Sequence, residues 1–542
     1  MEMKKTLVLL MFAVAPLLPA FAISGRTMYH YIAYDAAFWP KSAPVSGEQY
    51  QKINLDPLAK LPFDTLVFAP VFGFGSFAGK LQGASYPKQQ PSSRWMSNWK
   101  NGMPELMKQG ADPIAETSKW CRKNKKEAVV ALPVNLIVHG SRPTSEHPLS
   151  SWYAYLWPDF KTENPGCTMD NGGKDKVALG SGFYVDYTQA KVRDTFASNA
   201  SEIAAKYDID GIMVDFTMAP MLFKSVADGG VAAPKEVTLI TEMMQRIKTS
   251  CKAASGRLKH PVALAARVPD SVGYCKGIGI DLQGWLDTKL LDYVVLGGAF
   301  QLNRWNAVGD LALKAGVPFY ASFTQSGITV YNDSGYSGDD ERIPRNHKDV
   351  CNARIADALL CKAAGCMYTM GLHWEVQFPR NLCEPYDAKY NRTADKRYFV
   401  SYTNDRAANN FLKDGFKFRV PPSLLSGAPA DLSKGMAKYT IEVWDDFAAL
   451  AKDGIVPQVS LVTEAALPSG IEIDVTFNGK PVKAYRKRAG TQFYELPPKS
   501  VKIGGNEVTV KAKGKNKRGQ TATLGNIAVE VKFPKPGKEA GK

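Results

Sequence analysis

An apolar run that ends in a carboxylate is the first place where this sequence could carry out chemistry. The segment YDIDGIMVDF, residues 207–216, places three apolar residues directly before Asp215. Burying an unpaired carboxylate is costly, so an acid that ends a buried strand requires water, a cation or a ligand. Asp215 is therefore a candidate catalytic residue, with a helix cap or a structural ion pair as the alternative. Asp208 and Asp210 precede the run, and we expect them to shape the turn before the strand.

Polar residues that follow other strand-like runs define the remaining candidates. Glycoside hydrolysis uses two carboxyl groups, about 5–5.5 Å apart for retention and about 6.5–9.5 Å apart for inversion. Asp270 and Glu375 are candidates for the second group; the alternatives are a cap of the following helix for Asp270 and a solvated loop position for Glu375. Aromatic faces stack on sugar rings, and amides and charges bind hydroxyl groups. The candidate substrate-binding residues are Asn135, His139, Arg267, Gln301, Asn303, His373, Trp374, Tyr34 and Asp35.

Eight apolar, strand-like runs alternate with helix-like stretches between residue 27 and about residue 380. Their approximate ranges are 27–35, 63–75, 127–140, 211–216, 260–270, 291–300, 317–323 and 365–374. Eight strands interleaved with helices predict a (β/α)8 TIM barrel, and strands that are apolar on both faces suit a buried parallel sheet. A doubly wound open sheet is the alternative, but GFGSFAG lacks the GxGxxG spacing of a phosphate loop. In a barrel the candidates would gather at the carboxyl ends of the strands. Arg267 then has a second interpretation, an ion pair with a barrel carboxylate.

The region after about Arg397 has a different pattern, in which short strands are separated by turns and helix-like stretches vanish. Asn478-Gly479 lies between alternating apolar residues and predicts a β-hairpin. We therefore expect an α/β barrel domain followed by an all-β sandwich. The predicted ranges are 1–22 for a signal peptide, 23–396 for the barrel, 397–534 for the sandwich and 535–542 for a disordered basic tail.

The first 22 residues have the pattern of a secretory signal peptide. Lys4 and Lys5 precede an apolar run at 7–18, and alanines at 20 and 22 suit cleavage before Ile23. This pattern predicts a bacterial protein that is secreted or periplasmic; a short membrane anchor is the alternative. No internal run reaches the ~18 apolar residues of a transmembrane helix, so we expect no transmembrane segment.

The net charge of +16 is concentrated near the carboxyl terminus, where residues 480–542 contain 16 Lys or Arg and 4 Asp or Glu. Nucleic acid is a poor partner for an exported protein, so an anionic glycan or a cell surface is the expected contact, with a solvated face as the alternative. The eight cysteines include no CxxC pair, and no HExxH motif occurs. We therefore expect neither a disulfide framework, nor a metal site, nor a cofactor.

Four segments together resemble the glycosyl-hydrolase-like (β/α)8 proteins related to the family-10-like glycosyl hydrolase group. The matching segments are 110–135, 185–216, 263–298 and 495–511. The resemblance implies an exported hydrolase that cleaves O-glycosyl bonds of a polysaccharide or oligosaccharide without a cofactor. Asp215 would act as nucleophile or general base, and Asp270 or Glu375 as the acid.

The sequence also departs from this family pattern. Asp215, Asn135 and Arg267 match it, whereas relatives tend to carry Arg, Asp, Glu and Arg at four positions occupied here by Pro133, Leu136, Met213 and Met218. These changes favour an alternative function, a non-catalytic glycan-binding barrel with a degenerate site. A third class is a cell-surface structural protein anchored by the basic sandwich. The chitinase-like motif DGxDxDxE does not fit, because its Glu would stand at Thr217.

Overall fold

The computed structural model describes most of the chain in sixteen ranges. They are residues 26–32, 38–40, 46–60, 63–69, 99–101, 109–135, 164–169, 184–217, 219–297, 302–324, 344–369, 391–400, 405–419, 430–488, 490–514 and 521–534. The predicted signal peptide and the predicted basic tail lie outside these residues.

Eight parallel strands form a closed barrel in which each strand pairs with the next in the chain and the last pairs with the first. The strands are β1 Arg26–Ile32, β2 Thr65–Ala69, β3 Glu127–Pro133, β4 Gly211–Asp215, β5 Ala263–Val268, β6 Tyr293–Leu296, β7 Phe319–Thr324 and β8 Gly365–Thr369. The (β/α)8 barrel expected from the sequence is confirmed, and the open doubly wound sheet is excluded. A short ribbon pairs Phe38–Pro40 with Trp99–Asn101.

Helices connect these strands wherever the structure describes the connection. They are α1 Gly47–Tyr50, continued by a π turn Gln51–Leu55 and a 3-10 turn Asp56–Lys60, then α2 Pro113–Lys123, α3 Ala190–Lys206, α4 Lys224–Ala227, α5 Pro234–Leu258, α6 Val272–Ile278, α7 Leu282–Asp287, α8 Asn306–Lys314 and α9 Pro344–Leu360. Local sequence explains where α2 begins: the Asp112 carboxylate accepts hydrogen bonds from the amides of Ile114 and Ala115, and Pro113 occupies the first turn. None of the helices in the described ranges is long and apolar enough to cross a membrane.

Alternate residues of the strands fill the barrel interior. Met28, Val67, Val129 and Met213 belong to one buried apolar cluster with residues of the other strands. Side chains alternate between the two faces of a strand, so Asp215, two positions after Met213, also faces the interior, one step nearer the carboxyl end.

The turn before β4 is held from the amino-terminal side of the barrel. The Asp210 carboxylate accepts from the Ala128 amide at 2.8 Å and from Arg122 at 2.7 Å. Asp208 also pairs with Arg122 at 2.8 Å, and His260 lies 2.8 Å from its carboxylate. The expectation that these two aspartates shape the turn is confirmed.

Two antiparallel sheets follow the barrel. Their strands are β9 Lys396–Phe399, β10 Ala430–Asp431, β11 Met436–Val443, β12 Gln458–Ala466, β13 Ile471–Phe477, β14 Lys480–Val482, β15 Ala484–Arg488, β16 Thr491–Leu496, β17 Gly504–Gly514 and β18 Thr523–Lys532; a helix, α10, spans Phe447–Lys452. One sheet has the order β9-β18-β12-β16-β15, with β10 beside β18, and the other has the order β11-β17-β13-β14. The predicted hairpin is confirmed, since Asn478 and Gly479 both have positive φ, 49° and 77°.

Ion pairs hold the sandwich together and join it to the barrel. Within the sandwich, the Lys396 ammonium of β9 lies 2.9 Å from the Asp445 carboxylate, and both side chains are buried. Arg304, next to α8, forms an ion pair with Glu442 of β11. The six cysteines in the described ranges are buried free thiols: Cys121, Cys167, Cys251, Cys275, Cys361 and Cys366.

Candidate active site

Two predicted site residues meet at the carboxyl ends of adjacent barrel strands. Asp215 is the last residue of β4 and lies beside Arg267 of β5 in the strand register. Each side chain is only 1% exposed. The second interpretation of Arg267, an ion pair with a barrel carboxylate, is thus realised in the structure.

The Asp215 carboxylate accepts three hydrogen bonds. Its Oδ1 accepts from the Thr217 amide at 2.7 Å and from the Thr217 hydroxyl at 2.8 Å. Its Oδ2 accepts from the Arg267 guanidinium at 3.2 Å. A carboxylate has about four acceptor positions, so in the part of the chain that the structure describes one position on Oδ2 receives no hydrogen bond. Arg267 supplies the positive charge that a buried carboxylate requires.

The Arg267 guanidinium joins four strands at this end of the barrel. Its Nε donates to the Gly297 carbonyl at 3.1 Å, and its Nη2 donates to the Ser322 hydroxyl at 2.9 Å. Gly297 has φ of 98°, and a Cβ there would lie 3.1 Å from the Ser322 carbonyl oxygen, so both conformation and space favour glycine. Burial lowers the pKa of Arg267, and Asp215 opposes that shift.

His30 of β1 completes the buried polar cluster. Its Nδ1 lies 3.4 Å from Arg267 Nη1. Burial and the Arg267 charge lower the pKa of His30 to about 3, and the Asp215 charge opposes the shift. The imidazole is therefore neutral near pH 7, with Nδ1 as the acceptor. A neutral imidazole with so low a pKa cannot act as a general acid near neutral pH.

His30 and Ser322 were not among the candidates from the sequence. Both stand inside strands, whereas the sequence candidates lie at the carboxyl ends of the predicted strands or just after them. The sequence feature that could have identified His30 is the alternation of side chains between the two faces of a strand. His30 follows the interior residue Met28 by two positions, so it faces the barrel interior as well.

Asp270 is fully buried in the connection after β5. Its two oxygens accept from the backbone amides of Leu302 and Asn303, each at 3.0 Å. Burial raises the pKa of Asp270 to about 7, while these amides and Arg354 oppose the shift. Asp270 does not cap the following helix, since the hydroxyl of Ser271 accepts from the Tyr274 amide in that role. The expected alternative for Asp270, a helix cap, is therefore wrong.

The two predicted amides bind backbone groups. Asn135 donates to the Met221 carbonyl at 2.7 Å and accepts from the Val185 amide at 3.1 Å. Asn303 donates to the carbonyls of Asp270 and Phe418, at 3.1 and 3.3 Å. Both side chains are buried. In this structure they hold connections around the barrel end in place.

Seven predicted site residues lie outside the described ranges: Glu375, His139, Gln301, His373, Trp374, Tyr34 and Asp35. The roles given to Asp215, Asp270 and Glu375 in catalysis stay predictions. In the part of the chain that the structure describes, no group of three or more His, Cys, Asp or Glu side chains is arranged to hold a metal ion.

No protein-family model matches the sequence, and no curated protein is significantly similar to it. Several solved structures are similar in fold at low identity. A cell-surface-expressed chitinase from a Paenibacillus species is 12% identical, with 90% of this chain and 52% of that chain covered and a TM-score of 0.37. An alpha-L-fucosidase from Paenibacillus thiaminolyticus is 14% identical, with 68% and 49% covered and a TM-score of 0.39. The glycoside hydrolase domain of PgaB from Bordetella bronchiseptica is 11% identical, with 67% and 99% covered and a TM-score of 0.38. This chain thus spans about half the length of the first two.

Proposed function

We propose that this protein is a glycoside hydrolase that cleaves O-glycosyl bonds of a polysaccharide or oligosaccharide. The observation that carries the proposal is Asp215, an interior carboxylate at the carboxyl end of a barrel strand, with one acceptor position that no described residue fills. Chemistry in barrels of this architecture takes place at that end of the strands. The family resemblance of the sequence supports the same activity.

Asp215 suits the role of nucleophile or general base. Its charge is balanced by Arg267 at 3.2 Å, and three hydrogen bonds hold its plane in one orientation. A fixed, negatively charged carboxylate can attack the anomeric carbon or accept a proton from water.

The general acid must hold a proton near neutral pH, and Asp270 has a pKa of about 7 because it is buried. The two oxygens of Asp270 are, however, bound to backbone amides of the connection after β6. Glu375, which follows β8 in the sequence, is therefore the second choice for the acid.

Release of reducing ends from a panel of neutral and acidic glycans tests the activity. Asp215→Asn should lower the rate by about 10³-fold or more. Asp208→Asn, on the opposite face of the barrel, is the matched control and should leave the rate unchanged. Circular dichroism and thermal unfolding show that each variant is folded. A wild-type rate unchanged by Asp215→Asn would contradict the assignment.

Comparison of Asp270→Asn with Glu375→Gln identifies the acid. Loss of the acid should slow cleavage of substrates with poor leaving groups by about 10²- to 10⁴-fold. An activated aryl glycoside, whose leaving group needs no proton, should still react. If neither variant shows this difference between substrates, both assignments of the acid are wrong.

A second candidate function is a non-catalytic glycan-binding barrel. The observation that favours it is the burial of Asp215, which is 1% exposed and already paired with Arg267. A wild-type protein that binds glycans of the panel and cleaves none would support this function over hydrolysis.

We further propose that the protein acts outside the cytoplasm of a bacterium and that its carbohydrate ligand is anionic. Residues 1–22 have the pattern of a signal peptide, and residues 480–542 are strongly basic. Amino-terminal sequencing of the exported protein should find Ile23 as the first residue. An unprocessed chain in the cytoplasm would contradict the location.

A further inference from the structure

The structure separates the basic residues of the sandwich into paired and unpaired groups. On β17, Lys513 lies 2.6 Å from the Asp474 carboxylate, and on β11, Lys438 lies 2.6 Å from Glu507. Five exposed cations between residues 480 and 488 differ from these. Within the described ranges no ion pair includes them: Lys480, Lys483, Arg486, Lys487 and Arg488.

Three of these cations, Arg486, Lys487 and Arg488, lie on the edge strand of one sheet, whereas Lys480 belongs to β14 of the other sheet and Lys483 lies between β14 and β15. Strand β15 is last in the order β9-β18-β12-β16-β15 and pairs with β16. Lysine and arginine on an edge strand oppose pairing with another chain. Edge protection alone would explain the charges, but it would not require an exposed aromatic ring beside them.

Such a ring is present at Tyr485, which is 52% exposed. It is held by the Phe493 ring at a centroid distance of 6.4 Å and by the Ser460 hydroxyl, 3.1 Å from the tyrosine oxygen. The Arg486 guanidinium lies 5.3 Å from the centre of the Phe493 ring. The strand register places Arg486 and Arg488 on the same side of β15 as Phe493, and Lys487 lies between them on the same edge strand. We call the fixed ring and these three unpaired cations the β15 surface: Tyr485, Arg486, Lys487 and Arg488.

We propose that the β15 surface binds an anionic polysaccharide. One face of a sugar ring would stack on Tyr485, and carboxylate or sulfate groups would pair with the neighbouring cations. Arginine suits this role because its planar guanidinium can bind a carboxylate or a sulfate through two hydrogen bonds. The inference takes carbohydrate as its ligand class from the proposed function, and it adds a second site distant in sequence from Asp215.

Binding of the full-length protein to polygalacturonate and to dextran sulfate, with uncharged dextran for comparison, tests the proposal. Replacing Arg486, Lys487 and Arg488 together by serine should weaken binding to the anionic polymers about tenfold, because each exposed ion pair contributes modestly. The matched control replaces Lys438, Lys511 and Lys513 on the other sheet by serine and should retain affinity. The wild-type affinity should fall as salt is raised.

Tyr485 distinguishes recognition of sugar from simple charge attraction. Tyr485→Ala should weaken binding severalfold at unchanged net charge, whereas Tyr485→Phe should retain affinity because the ring is kept. The proposal is overturned if the control variant loses as much affinity as the β15 variant, or if Tyr485→Ala binds as wild type does. Equal binding to duplex DNA or to phosphatidylglycerol vesicles would also overturn it. Release of reducing ends is scored separately, so a protein that binds without cleaving contradicts the hydrolase proposal alone.

Discussion

Two buried titratable groups should give the free energy of unfolding opposite dependences on pH. The folded-state pKa of His30 is about 3, lowered by burial and by Arg267, whereas an unfolded histidine has a pKa of about 6.5. The folded-state pKa of Asp270 is about 7, raised by burial, against about 3.9 in an unfolded chain. Between about pH 4 and pH 6.5 the unfolded state binds one more proton at His30, and the folded state binds one more at Asp270.

The signs of the two contributions follow from these proton counts. Stability linked to His30 is present above about pH 6.5 and is lost as the pH falls toward 3. Stability linked to Asp270 is present below about pH 4 and is lost as the pH rises through 7. Each contribution changes by at most about 1.4 kcal/mol per pH unit, and by about 2 kcal/mol between about pH 4.5 and pH 6.5. In the wild-type protein the two changes cancel over this window.

Single substitutions should reveal the pH dependence that each group contributes to the free energy of unfolding. Urea denaturation at about pH 4.5, 5.5 and 6.5 gives the unfolding free energy of wild type, His30→Gln and Asp270→Asn. Relative to wild type, His30→Gln should lose about 2 kcal/mol of stability as the pH rises across this window, and Asp270→Asn should gain about as much. Comparison with wild type at the same pH removes the contributions of other shifted groups, such as Asp445.

Asp208→Asn provides the control. The pKa of Asp208 is lowered to about 2, chiefly by its hydrogen bond to Arg122, so its contribution to the pH dependence of stability is confined to pH values below about 4. The stability of Asp208→Asn relative to wild type should therefore not change between about pH 4.5 and pH 6.5. If the differences for His30→Gln and Asp270→Asn are equally flat, both groups titrate alike in the folded and unfolded chains, and their assigned pKa shifts are wrong.

Three further predictions concern single positions. Arg267→Met should lower the unfolding free energy by about 3–5 kcal/mol because it leaves the buried Asp215 carboxylate without its cation. Urea denaturation measures the loss, and a loss below about 1 kcal/mol would contradict the reasoning. Gly277→Val should lower the unfolding free energy by about 1–3 kcal/mol, because a Cβ at that position would lie 2.8 Å from a leucine methyl carbon. Gly256→Ala should stabilise α5 by about 0.5–1 kcal/mol, because no atom of the described residues lies within 4 Å of the added Cβ. Thermal unfolding of both variants measures the difference, and equal effects would refute the reasoning. Arg122→Ala should lower the unfolding free energy by about 1 kcal/mol through loss of its ion pairs. Glycan cleavage per folded molecule should be unchanged. A loss of that activity would show that the amino-terminal end of the barrel takes part in the function.

Local patterns were enough to predict the barrel. The fourth predicted run, 211–216, differs by one residue from β4, and the eighth begins at Gly365 as β8 does. A buried parallel strand needs apolar residues on both faces, and this requirement is visible in a few consecutive letters. Strand ends were harder to predict, because the run 260–270 begins three residues before β5 and continues two residues past it.

Contacts between distant segments could not be predicted in the same way. Asp270 binds amides 32 and 33 positions later in the chain, and Arg267 reaches His30 across 237 positions. No local pattern specifies which connection will fold back over a strand end. A buried aspartate must have hydrogen-bond donors, and this could be predicted for Asp270 from its residue type. Which groups would donate depended on how the segment after β6 packs over the end of β5.

The Asp215–Arg267 pair connects the question of stability to the question of function. In Asp215→Asn one side-chain atom becomes an amide donor and faces the donors of Arg267 or Thr217, so stability should fall whether or not Asp215 is catalytic. Activity corrected for the folded fraction therefore separates the two roles. A purely structural carboxylate leaves each folded molecule as active as wild type, because the remaining Oδ2 position then contacts no substrate. A catalytic carboxylate leaves folded molecules that bind glycan and do not cleave it.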